Sequence, residues 1–91
     1  HYNLAYREEE REMIPLCRDQ GVALIPWSPL ARGFLAGTRS VTERATGDTV
    51  RARTDEHADR MYRRDGDREV LAALSHLAAE RGESNARLAY A

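Results

Sequence analysis

Residues 21–37 read Gly-Val-Ala-Leu-Ile-Pro-Trp-Ser-Pro-Leu-Ala-Arg-Gly-Phe-Leu-Ala-Gly, and no other stretch limits the fold so strongly. Residues 22–27 are an unbroken apolar run of strand length. The run does not alternate, so it predicts a strand covered on both faces, as in a parallel sheet with helices outside. An aromatic residue, a hydroxyl, a rigid turn and a glycine follow at once: Trp27, Ser28, Pro29, Gly33. The C-terminal end of a parallel strand is where α/β folds place ligands. A Trp there offers a flat apolar face for a planar ring. Ser28 offers a donor, Pro29 fixes φ, Gly33 lets backbone come close to a ligand, and Arg32 carries a charged fork suited to phosphate. Spacing alone leaves a second reading open, a core Trp followed by an ordinary proline turn.

The flanks fit the same rhythm. Glu8, Glu9 and Glu10 suit a helix start, where negative charge meets the positive end of the dipole. Met13, Ile14, Leu16 and Cys17 then give an apolar stripe, Pro15 kinks that helix or begins a second one, and Gly21 stands where a helix ends. Helix, glycine, buried strand is α/β order. Residues 38–66 are polar and lose periodicity, which predicts a long functional or disordered loop. Asp67 is a plausible N-cap, and Val70, Leu71, Leu74, Leu77 and Ala78 recur at helical spacing up to Gly82. Ser84 caps a further helix with Leu88 and Tyr90 on its inner side.

Composition excludes several function classes. The chain has 91 residues, room for one small domain at most, with 14 Arg, no Lys, 15 acidic residues and a formal net charge of −1. That balance argues against a nucleic-acid face. No apolar run approaches a membrane span, no leader opens the chain, and the one cysteine, Cys17, fits a reducing cytoplasm. Cys17 reads as a packed, inert thiol, and His57 has no second ligand at metal spacing, so no metal site is expected.

The segment from Trp27 to Leu35 resembles the seventh strand and following loop of the aldo-keto reductase superfamily, aromatic-S-P-L-x-x-G-x-L. Tyr2-Asn3-Leu4 with residues 8–17 resembles the end of the sixth strand and its helix. Residues 51–55 resemble the Arg-containing part of the long loop, and residues 82–91 the motif G-x-S-x-A-x-x-A-L-A before the eighth strand. Trp at position 27 resembles the subgroup of potassium-channel β-subunits and bacterial ketoreductase-like members. The resemblance implies an α/β fold, a piece of a (β/α)₈ TIM barrel. The piece comprises the end of strand 6, helix 6, strand 7, the long loop and helix 7. It makes residues 1–91 a partial domain, incomplete at both ends. It further implies NADP(H) as cofactor and hydride transfer to a small-molecule carbonyl substrate. Trp27 would stack on the nicotinamide, Ser28 and Leu30 would line the pyrophosphate, Arg32 and Gly33 would continue that cradle, and Arg51 would reach the phosphates, with Arg53 as its substitute. The family's catalytic Asp, Tyr, Lys and His lie on earlier strands, so no catalytic residue is expected here; Tyr2, Tyr6, His57 and His76 do not fill those places. The alternative function is a non-catalytic relic, or a binding or regulatory module that needs a complementary chain. The resemblance implies a substrate pocket drawn from loops outside these motifs, and it leaves oligomeric state and the choice between NADP and NAD open.

Overall fold

A computed structural model describes residues 1–38, 60–62 and 64–91. The first six residues fold back on themselves. Asn3 and Tyr6 form an isolated antiparallel bridge, and the Asn3 Oδ1 accepts from the backbone of Ala5 at 3.0 Å and Tyr6 at 2.9 Å. This is an Asx-type turn, the local bonding that makes asparagine a turn residue. The expected sixth-strand end is therefore a turn in this chain. A 3₁₀ turn at Glu8–Glu10 precedes helix α1, Met13–Gln20. Pro15 is the third residue of α1, where the first backbone N–H groups have no helical partner, so its missing donor costs nothing. Gly21 closes α1 at φ 66°, with the Gly21 N–H reaching the Arg18 carbonyl at 3.4 Å and the Val22 N–H reaching Cys17 at 2.8 Å. That pair of bonds is a Schellman closure, which needs the left-handed region.

The strand expected over residues 22–27 is not formed. No strand occurs among the described residues. Val22 is 57 % exposed, Ile25 95 % and Trp27 49 %. The Trp27 carbonyl accepts from Tyr2 N–H at 3.3 Å, and that contact is not a ladder. A strand exists through its neighbours' hydrogen bonds, and two-sided burial needs layers on both faces. The described residues supply neither. Pro26, which has no N–H to donate, weakens the run further as a sheet member.

The core lies instead under residues 31–35. Ala31, Phe34 and Leu35 are fully buried against Tyr62 and Leu74, with Val70, Leu71 and Leu88 packed around them. The Phe34 and Tyr62 rings stack at 5.8 Å and 4°. Burying side chains of this size is worth about 1.5–3 kcal/mol each. Helix α2 runs Asp65–Arg81 and helix α3 Asn85–Tyr90. Asp67 is not the N-cap. α2 starts two residues earlier, and the Asp67 carboxylate accepts from the Arg64 N–H at 2.9 Å, bonding backward to the start of the helix as the third residue of a capping box does. Leu74 and Ala78 face the core as expected, while Leu77 is exposed. Gly82 ends α2 at φ 64°, and the Ser84 hydroxyl accepts from Arg87 N–H at 3.2 Å to start α3. Tyr90, expected inside, is 65 % exposed. Cys17 is free and half-buried.

Candidate functional site

The loop after Trp27 is wound tightly. Ser28 has φ 59°, Ala31 φ 50°, Arg32 φ 56° and Gly33 φ 96°. Such values are strained for residues with a Cβ and persist only where the surroundings impose them. The bonds that impose them are local. The Ser28 carbonyl accepts from Ala31 N–H at 3.0 Å, and the Leu30 carbonyl accepts from Gly33 at 3.0 Å and Leu35 at 3.2 Å. Below, buried Ala31, Phe34 and Leu35 anchor the loop to the core. At Gly33 the Thr38 hydroxyl donates to the carbonyl at 3.1 Å, and an added Cβ would meet that same oxygen at 3.0 Å. Glycine is thus required there by both φ and space.

Trp27, Ser28, Leu30, Arg32 and Gly33 do converge. Together with Pro29, Thr38 and Tyr90 they line an open hollow of about 390 Å³. The Arg32 guanidinium carbon lies 5.9 Å from the Trp27 ring centroid, within cation–π range. The His1 ring meets Trp27 edge-on at 5.0 Å. The Ser28 hydroxyl oxygen is buried and has no hydrogen-bond partner among the described residues. An unmet buried hydroxyl costs about 1–3 kcal/mol. Arg51 lies outside the described residues, as do Arg53 and His57.

Sequence reasoning missed what holds the loop from behind. Asn3 is buried, and its Nδ2 lies 2.9 Å from the Ser28 carbonyl, 3.1 Å from the Tyr62 hydroxyl and 3.2 Å from His1 Nε2. His1 Nε2 and the Tyr62 hydroxyl are 2.7 Å apart, and the His1 ring stacks on Tyr6 at 4.2 Å. The one legible signal was Asn3 itself, a turn former beside an aromatic residue. Nearby, the Tyr2 hydroxyl donates to Glu10 at 2.5 Å, and Arg7 grips the same carboxylate at 2.7 and 2.9 Å. The Arg7 guanidinium, with Tyr2 second, holds the Glu10 carboxyl below the usual carboxylate range. The bond to Glu10 holds the Tyr2 phenol above its ordinary value. Among the described residues no cluster of His, Cys, Asp or Glu could hold a metal ion, and no helix is long and apolar enough to cross a membrane.

Comparison with known proteins connects this loop to a family. The chain is 47 % identical over 91 residues to a Schizosaccharomyces pombe protein described as an aryl-alcohol dehydrogenase, covering all of this chain and 27 % of that protein. It is 43 % identical over 94 residues to the versiconal hemiacetal acetate reductase of Aspergillus parasiticus, covering 26 % of it. It is 31 % identical over 90 residues to a Glycine max aldo-keto reductase, covering 99 % of this chain and 25 % of that protein. The chain spans about a quarter of the length of the curated relatives it matches. No solved structure matches it. The narrower expectation drawn from Trp27 is not singled out: the relatives that cover all of this chain include two S. pombe proteins described as aryl-alcohol dehydrogenases and the Aspergillus reductase, not specifically potassium-channel β-subunits or bacterial ketoreductases. The sequence profile headed Aldo/keto reductase family matches residues 1–91 from end to end, and on that match this chain belongs to the aldo/keto reductase family.

Proposed function

We propose that these 91 residues are the C-terminal part of a TIM-barrel, NADP-dependent reductase, carrying part of its cofactor site and none of its catalytic groups. The buried, unpartnered hydroxyl of Ser28, a residue that lines the Trp27 hollow, is the observation that carries this reading. The donor set fits a dinucleotide. Trp27 keeps about half its surface open, enough for a planar ring to stack. Ser28, Leu30, Arg32 and Gly33 would take the phosphates, Arg32 as the charged member. Arg51 would add to them from the long loop. The nicotinamide supplies the hydride when bound; the protein's part is binding and orientation. Trp27 presents a ring face, and the strained loop fixes where the hydroxyl and backbone donors stand. The substrate class is a small carbonyl compound, and the names of two relatives favour the carbonyl partners of aryl alcohols. The half-buried free thiol of Cys17 suits a cytoplasmic setting.

A second reading has its own observation. Val22, Leu24, Ile25 and Trp27 are exposed in sequence, a seam that asks for cover by further polypeptide. On that reading the chain is a non-catalytic module that needs a complementary partner.

One graft tests both. Residues 1–91 replace the matched segment of the S. pombe relative, and NADPH binding and aldehyde reduction are measured. The graft is expected to bind NADPH and reduce an aryl aldehyde. Trp27→Ala in the graft should weaken NADPH by roughly threefold to tenfold, the worth of one aromatic pairing. It should slow single-turnover hydride transfer more, because orientation is lost with the contact. Unchanged affinity and rate would make Trp27 a core residue. A folded graft that ignores NADPH would favour the non-catalytic module.

A further inference from the structure

We infer that Asn3 is the positioning residue of the Ser28 loop, a clamp set on it from the opposite end of the described N-terminal segment. The orientation of its carboxamide is fixed by its neighbours. Oδ1 accepts from two backbone amides, Ala5 and Tyr6, at 3.0 and 2.9 Å. An amide nitrogen could not stand there, so Nδ2 must face the other way. On that side Nδ2 meets the Ser28 carbonyl at 2.9 Å. The Tyr62 hydroxyl, 3.1 Å from Nδ2 and 2.7 Å from His1 Nε2, can accept from Asn3 and donate to the imidazole. Tyr62 is itself locked by its stack on Phe34. A core aromatic therefore holds Asn3, and Asn3 holds Ser28.

The Ser28 carbonyl is a junction. It takes Asn3 Nδ2 on one lone pair and Ala31 N–H on the other. Ser28 sits at φ 59° with its hydroxyl buried and unpartnered. A serine freed from the clamp would relax from that conformation and turn its hydroxyl elsewhere. The clamp thus keeps the buried, unpartnered Ser28 hydroxyl in place. The consequence for a phosphate ligand rests on the cofactor reading above; the clamp itself does not.

Amide hydrogen exchange by NMR on the full chain tests it. Asn3→Asp keeps the acceptor toward Ala5 and Tyr6 but sets an oxygen against the Ser28 carbonyl. It is expected to speed exchange of the Ala31 amide about tenfold, a hydrogen bond's worth, while α2 amides stay as they were. Leu74→Ala, which opens the core and leaves the clamp's atoms intact, should speed exchange at both places. Uniform acceleration in Asn3→Asp, or an Ala31 amide unprotected in the parent chain, overturns the proposal. NADPH affinity of the graft carrying Asn3→Asp is read separately and should fall. If Ala31 loosens while NADPH affinity holds, the clamp stands and Ser28 is not a phosphate ligand.

Discussion

At the scale of single residues, the most consequential side chains here are those that satisfy strained backbone. Tyr62 shows how the credit divides. Its ring is core, stacked on Phe34, and its hydroxyl is the link between His1 and Asn3. Tyr62→Phe keeps the ring and removes the link. The expected loss is about 1 kcal/mol of stability, one net hydrogen bond. Phe at 62 should also leave the ring stack unchanged in near-ultraviolet dichroism. A urea midpoint that does not move would show that the direct contact of His1 with Asn3 at 3.2 Å suffices without the hydroxyl. Gly33 was read from the sequence as room for a ligand. In the structure the Thr38 hydroxyl lies 3.0 Å from where a Cβ at 33 would stand, and both residues line the hollow. The residue was legible; its neighbour was not.

At the scale of elements, three helix ends followed the sequence because they depend on near neighbours, while α2 begins from Arg64 and not from Asp67. Gly21, Gly82 and Ser84 each close or open a helix where the sequence places them. Gly82 has φ 64° and open space around its missing Cβ. Gly82→Ala is therefore expected to cost about 1–2 kcal/mol through backbone conformation alone, visible as a lowered thermal midpoint. Gly33→Ala should cost more, since φ 96° and the Thr38 contact at 3.0 Å act together. The 3₁₀ turn before α1 gives a pH prediction. Glu10 titrates low because Arg7 and Tyr2 hold its ionised form. Its contribution is thus present above the ordinary carboxylate range of about 4.3 and is lost as pH falls through the depressed value. Tyr2 titrates high, so its contribution is present below about 10 and is lost as pH rises through the raised value. Glu10→Gln should remove the acid-limb change and return the Tyr2 phenol toward its ordinary titration, followed by phenolate absorbance. A Tyr2 titration indifferent to Glu10→Gln would separate the two groups.

At the scale of the whole molecule, a small core carries a large exposed seam. The buried cluster of Ala31, Phe34, Leu35, Tyr62 and Leu74 holds the loop to α2, while residues 22–27 present Val22, Leu24, Ile25 and Trp27 to solvent. The isolated chain should therefore self-associate, and Ile25→Asp, far from the core at 95 % exposure, should reduce association without lowering the thermal midpoint. Sedimentation velocity at increasing concentration reads this; a monomeric parent chain would contradict it. NADPH turnover with aldehydes by the isolated chain is expected to be at the buffer blank, since no general acid from the family's earlier strands is present. What the sequence determined by itself is what short-range chemistry decides: the helix ends at Gly21 and Gly82, the Ser84 cap, Leu74 and Ala78 on the buried side of α2, and the family. What only the tertiary structure decided is what depends on distant partners. Residues 22–27 carry a strand's composition but form no ladder, because a strand needs neighbours that these residues cannot provide for themselves. Asn3, 25 residues before Ser28 and 59 before Tyr62, carries no mark of its partners in the chain order. Its role exists only because folding brings three separated polar groups within hydrogen-bond distance around a buried carboxamide, where an unmet polar atom is costly and a met one fixes the geometry.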